Sequence, residues 1–134
     1  FKISLEQAVQ LVWHALEDMV GGEIYVKKIP SMKMTELGRA IAPDAVQNII
    51  GIRPGEKLHE QMIGVEDAIS TYEFDEYFKI LPIINGWSKD KDRIKNGKLV
   101  KPDFVYSSET NKDWMTNAEL INWLDINKHK IGMY

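Results

Sequence analysis

The sequence predicts a mixed α/β fold of two or three short strands and about five helices. Two capping boxes each open an amphipathic run, and short runs of β-branched and aromatic residues lie between them. The stretch Ile49–Glu60 reads as a strand that stops at a proline, turns on a glycine and enters a helix.

Ser4-Leu5-Glu6-Gln7 has the form of a capping box, and Leu5, Ala8, Val9, Val12, Leu16 and Met19 follow at helical spacing. This predicts a helix from Leu5 to Val20, closed by Gly21-Gly22. His14 lies inside it as a surface or packing residue. Glu23 to Ile29 is rich in β-formers and reads as a strand ended by Pro30-Ser31. Met34, Leu37 and Ile41 then give helical spacing up to Ala42, before Pro43. The connection through Pro30, Ser31, Met32 and Lys33 sits where a ligand could meet backbone and hydroxyl groups. Ser31 can equally serve only to support the turn, and Met32 and Met34 to fill core.

Val46 to Arg53 reads as a second strand, Lys57 to Ile63 as the helix after it, and Val65 to Ser70 as a shorter helical segment. Thr71–Phe74 and Tyr77–Leu81 read as extended, with Glu73, Asp75 and Glu76 on a solvated strand face rather than at a metal. The polar, turn-prone stretch 85–101 reads as a surface excursion within a single domain spanning residues 1–134. Asp103–Ser108 returns to extended structure, and Thr116-Asn117-Ala118-Glu119 opens a terminal helix packing Leu120, Trp123 and Leu124.

Composition narrows the function classes. The balance of 44% hydrophobic and 28% charged residues is that of a folded chain. A net charge of -3 gives no support to a nucleic-acid surface. The sequence has no cysteine, which excludes disulfides and thiolate zinc sites and is compatible with a cytoplasmic location. No apolar run approaches the ~20 residues of a membrane helix. The chain begins at Phe1 and enters a helix pattern almost at once, so more sequence is expected upstream.

The chemistry concentrates at Arg53-Pro54-Gly55-Glu56. On the strand-turn-helix reading, Arg53 ends the strand and Glu56 falls in or just before the first helical turn. A guanidinium fork can make paired bonds to phosphate oxygens, and a nearby carboxylate can accept bonds from ribose hydroxyls, which together suit a nucleoside diphosphate. The same two side chains can equally do no more than pair at the surface. Catalytic machinery is missing: the sequence has no glycine-rich dinucleotide fingerprint, no tyrosine followed four residues later by lysine, no Gly-x-Ser-x-Gly and no His-Glu-x-x-His.

Four stretches, Glu23–Leu37, Ile49–Ile63, Tyr72–Phe78 and Phe104–Ser108, closely resemble in order the C-terminal part of the inverting UDP-N-acetylglucosamine 4,6-dehydratases, which are extended short-chain dehydrogenase/reductases. The resemblance implies a fold in which this chain is the C-terminal substrate-binding portion of a Rossmann-type enzyme, with the N-terminal cofactor domain absent. It implies a lyase whose complete form uses NADP, oxidises the sugar at C4, eliminates water across C5 and C6, and returns hydride to C6 with inversion at C5. The product would feed pseudaminic acid biosynthesis and flagellin glycosylation. It also implies that Arg53 holds the pyrophosphate and Glu56 the ribose of UDP-N-acetylglucosamine, with Pro30, Ser31 and Lys33 on the nucleotide side. No catalytic residue falls in this chain, which alone is expected to be inactive, while the complete enzyme is expected to be a homo-oligomer. Lys27 stands where the family tends to have proline. Two other readings stay open: another nucleotide-sugar dehydratase or epimerase of the capsule type, or a non-catalytic nucleotide-binding or assembly module.

Overall fold

The computed structural model describes residues 1–128. Helix α1 (Leu5–Asp18) starts at the capping box: Ser4 Oγ accepts from Gln7 N, and the Gln7 side chain accepts from Ser4 N. It ends at Asp18, two residues earlier than its spacing suggests, with Met19 as C-cap and Gly21 and Gly22 both at positive φ. Strand β1 (Ile24–Lys27) follows, then helix α2 (Met34–Ile41). Lys27 simply continues β1, opposite Tyr77.

From Ala42 to Glu60 the chain forms neither helix nor strand and is exposed throughout. This corrects two expectations: Val46–Arg53 is not a strand, and Lys57–Ile63 is not a helix. An extended segment becomes a strand only when another chain segment satisfies its peptide groups, and no described residue pairs with 46–53. Gln61–Ile63 is instead strand β2, antiparallel to β6 (Tyr106–Ser107), which carries Ile63 into the core. The short helix expected at 65–70 is only a 3₁₀ turn, Ala68–Ser70.

Strands β3 (Thr71–Glu73) and β4 (Tyr77–Ile80) lie where β-formers alternate. With β5 (Lys98–Leu99) they complete an antiparallel sheet in the order β1-β4-β3-β5. The described residues thus carry six strands, more than expected, and four α-helices. The stretch 85–101 keeps an exposed 3₁₀ segment, Ile84–Lys89, yet it turns inward. Helix α3 (Lys91–Ile94) buries Arg93, β5 closes the sheet edge, and Val100 joins the core. Gly97 makes that return possible, because a Cβ there would sit 2.6 Å from the Phe74 ring.

One face of the sheet packs Phe78 and Ile80 with Ile63, Ala68, Val100 and Tyr106 as the core. The pleat turns Tyr77 and Lys79 to the opposite face, beneath α1. There Asp18 of α1 receives hydrogen bonds from Tyr25 (2.6 Å) and Lys79 (2.5 Å), and Lys95 also pairs with it. His14 lies against the Tyr77 ring, centroids 4.7 Å apart. The outer face of α1 is unburied, with Leu5 and Trp13 at 78% and 63% exposure. Helix α4 (Asn117–Asn127) opens on its capping box at Thr116 and buries Leu120 and Leu124.

Candidate functional site

The motif singled out in the sequence forms a turn, not a strand-to-helix junction. Glu56 N donates to Arg53 O at 3.0 Å, closing a four-residue turn with Pro54 and Gly55 at its centre. Gly55 has φ +86°, a conformation open to glycine, and proline ahead of it fixes the preceding φ. With no helix after it, Glu56 takes a different anchor: its Oε2 accepts from Arg53 N at 2.9 Å. Its Oε1 lies 3.8 Å from Arg53 Nε. Both side chains are exposed. A guanidinium has five N–H donors, and this loose contact leaves most of them available to an oxyanion. The turn presents a free cationic fork next to a half-committed carboxylate.

Ser31 is fully buried and belongs to a polar knot. Its N–H donates to Asp113 O and its carbonyl accepts from Met115 N, both at 2.9 Å, in a parallel bridge with Trp114. Its hydroxyl donates to Ser108 O at 3.4 Å and accepts from Asn111 Nδ2 at 3.0 Å. Asn111 Nδ2 also reaches Ile29 O and Asp113 O, each at 2.9 Å. The Ser31 hydroxyl is therefore committed internally. Pro30 O accepts from Lys2 N, and Lys33 stands exposed as the residue capping α2. Among the described residues, no hydrogen bond joins Arg53 or Glu56 to Pro30, Ser31 or Lys33. The link is indirect and runs through Ser108, whose N–H and Oγ bind Glu60.

The strongest electrostatics lie elsewhere, between α1, β1, β4 and α3. Burial works against ionisation of Asp18, but hydrogen bonds from Lys79, Lys95 and Tyr25 outweigh it and hold the carboxyl well below the usual range. Burial and the Asp18 carboxylate raise Tyr25 above the ordinary phenol range, and the same causes push Tyr77 up to about 12. Arg93 binds Gly21 O and Glu23 Oε1, each at 2.5 Å, and lies over the Trp87 ring. Every charge here is met by an opposite one, so the cluster holds the fold together, although His14 Nε2 and Arg93 Nε are buried without a hydrogen-bond partner. A concavity of about 940 Å³ opens beside Lys28, Phe78, Phe104, Tyr106 and Asn111 and includes neither Arg53 nor Glu56. Its rim carboxylate Glu73 is paired with Lys28 at 2.7 Å, and Glu76 with Lys27 at 3.0 Å. No group of acidic or histidine side chains among the described residues is placed to hold a metal.

The sequence matches the family model described as polysaccharide biosynthesis protein over residues 1–82. The chain belongs to that family. It is 47% identical over 137 aligned residues to a UDP-N-acetylglucosamine 4,6-dehydratase (inverting) of Campylobacter jejuni, covering 98% of this chain and 40% of that protein. It is 31% identical over 85 residues to a UDP-glucose 4-epimerase of Rickettsia canadensis, covering 60% of this chain and 25% of that protein. The X-ray structure of Pen from Bacillus thuringiensis shares the fold, with a TM-score of 0.77 over 96% of this chain and 38% of that one at 23% identity. The chain thus spans about 40% of the length of its dehydratase relatives and corresponds to their C-terminal part, a mixed α/β portion. No helix of the described residues is long and apolar enough to cross a membrane.

Sequence reasoning missed Ser108, Asn111 and the Asp18 cluster. Lys79, flanked by Phe78 and Ile80 in a strand of core residues, was the available signal: a lysine there must find a buried partner. Ser108 and Asn111 gave none, because the partners through which they tie distant segments together, Glu60 and Ile29, lie 48 and 82 residues away.

Proposed function

We propose that this chain is the C-terminal UDP-sugar-binding portion of an inverting UDP-N-acetylglucosamine 4,6-dehydratase, a lyase. The observation that carries the reading is the 47% identity to such an enzyme across 98% of the chain. The exposed Arg53 turn supports it chemically. The guanidinium donates paired hydrogen bonds to the diphosphate, and the free side of the Glu56 carboxylate accepts from the ribose hydroxyls. Lys33 adds a cation at the start of α2, Pro30 an apolar wall, and Ser31 the rigid backbone behind both.

The reading implies NADP in the complete enzyme. The strand-to-helix connection of this chain does not fit a dinucleotide: residues 28–33 contain a proline and no glycine, and α2 has no side-chain cap. NADP would therefore be held outside this chain. The remaining parts of the proposal are a cytoplasmic homo-oligomer acting on UDP-N-acetylglucosamine and a product destined for pseudaminic acid and flagellin glycosylation.

The test is to incubate the full-length protein with UDP-N-acetylglucosamine and follow the sugar ring by NMR. A 4-keto-6-deoxy product inverted at C5 is expected. A product retained at C5 would replace the family choice while keeping the nucleotide site, and simple inversion at C4 would favour the epimerase that the Rickettsia relative suggests. The 134-residue chain alone should give no turnover and no NADP binding. It should bind UDP weakly at most, because an exposed charge meets phosphate in high dielectric.

A further inference from the structure

The Arg53 turn sits in a long irregular segment whose hydrogen bonds to the rest of the fold lie near its ends. On one side, Gln47 Nε2 donates to Thr35 O of α2 at 2.9 Å. On the other, the segment meets Ser108, just beyond β6. That one residue uses all three of its polar groups. Its N–H donates to Glu60 O at 2.8 Å, and its Oγ accepts from Glu60 N at 3.1 Å and lies 3.3 Å from His59 Nδ1. Its carbonyl faces the hydroxyl of Ser31 at 3.4 Å. Ser31 in turn is buried and bound to Asp113, Met115 and Asn111. A rigid anchor therefore reaches the exposed segment through one residue, which meets it at His59 and Glu60, three and four residues after Glu56.

We propose that Ser108 is a positioning residue for the binding of a nucleoside diphosphate, clamping the end of the Arg53–Glu56 segment against the buried Ser31 knot and so fixing where the guanidinium meets the phosphates. The proposal rests on the reading that Arg53 grips the diphosphate. Removing the hydroxyl leaves the backbone bonds between Ser108, Glu60 and Ser31 in place. It strips Glu60 N and His59 of their partner, so the segment loosens while β2 and β6 stay paired.

The experiment compares Ser108→Ala, Ser108→Thr and Arg53→Ala in the full-length protein, with UDP as the calorimetric probe and the UDP-sugar in kinetics. Ser108→Ala should weaken UDP binding and raise KM by about three- to tenfold, the loss of one or two modest hydrogen bonds. At saturation kcat should stay within about twofold, because the reacting groups are untouched. Ser108→Thr, which keeps the hydroxyl, should restore KM, and amide exchange at Glu60 should speed up in the alanine variant alone. If Ser108→Ala does not fold, His59→Ala removes the other side of the contact from an exposed position and should raise KM about twofold. Unchanged UDP affinity in Ser108→Ala or His59→Ala, while Arg53→Ala weakens it, overturns the positioning role. A fall in kcat and melting temperature without a change in KM also overturns it, by showing a purely structural residue. Unchanged affinity in Arg53→Ala overturns the nucleotide site itself, and the proposal with it.

Discussion

Arg93 and Glu23 meet at 2.5 Å with side chains 5% and 0% exposed, whereas Arg53 and Glu56 stand 3.8 Å apart at 71% and 50%. The chemistry of the two pairs is the same and their surroundings are opposite. Around the first, Glu23 also accepts from Val20 N and Gly21 N, and Arg93 also reaches Gly21 O and lies over Trp87. Around the second, the carboxylate is half used by the turn and the guanidinium is nearly free. A buried pair must be fully satisfied or it destabilises the fold, so its groups are closed to ligands. An exposed pair contributes almost nothing to stability, so its groups can be given over to binding.

Removing one member of each pair separates these roles. Arg93→Ala strands the Glu23 carboxylate in the interior and should lower stability by about 3–5 kcal/mol, read by urea denaturation. An unchanged midpoint would show that the inner pair is dispensable and would break the contrast. In the full-length protein, where bound substrate desolvates the charge pair, Arg53→Ala should leave the midpoint within about 0.5 kcal/mol of the parent and weaken UDP-sugar binding by about 2–5 kcal/mol in calorimetry. Lysine at 53 should recover only part of this, since it lacks the planar fork.

The inner cluster should also respond to pH. Asp18 and Glu23 are both held below the ordinary carboxylate range, so their contribution is fully present above about pH 4, the unfolded value. It is lost as pH falls through their lowered folded values, because the unfolded chain then binds more protons. Denaturation midpoints measured from pH 7 downward should drop below pH 4, and Asp18→Asn should flatten the slope. At the alkaline end the sign reverses. Tyr77, pushed up to about 12, stays protonated in the folded chain while the unfolded one ionises, so stability falls above about pH 10. The smallest effect belongs to an exposed local contact: Ser4→Ala removes the α1 cap and should lower stability by about 1 kcal/mol.

Legibility in the sequence followed the range of each interaction. Both capping boxes formed where Ser4-x-x-Gln7 and Thr116-x-x-Glu119 placed them, because donor and acceptor lie three residues apart and no other segment is needed. The Arg53 turn was legible for the same reason, Pro54 and Gly55 each fixing their own backbone angles. Tyr77–Ile80 reads as extended and became a strand. Val46–Arg53 shows β-character as well, yet it stays irregular and exposed, with Ile49 at 93%. The relatives are more than twice as long as this chain, and strand character does nothing without a partner segment.

The sequence by itself determined the starts of α1 and α4, the glycine-centred turn at 53–56 and the family, all of which rest on neighbouring residues or on direct likeness. Tertiary structure alone decided that Gln61–Ile63 pairs with Tyr106–Ser107 as a strand, that Lys79 finds Asp18 and Arg93 finds Glu23, and that Ser108 ties the Arg53 segment to Ser31. Each of those contacts joins residues about 40 to 80 positions apart. Their energy comes from excluding water around charges and peptide groups, and no local pattern reports whether that exclusion will occur.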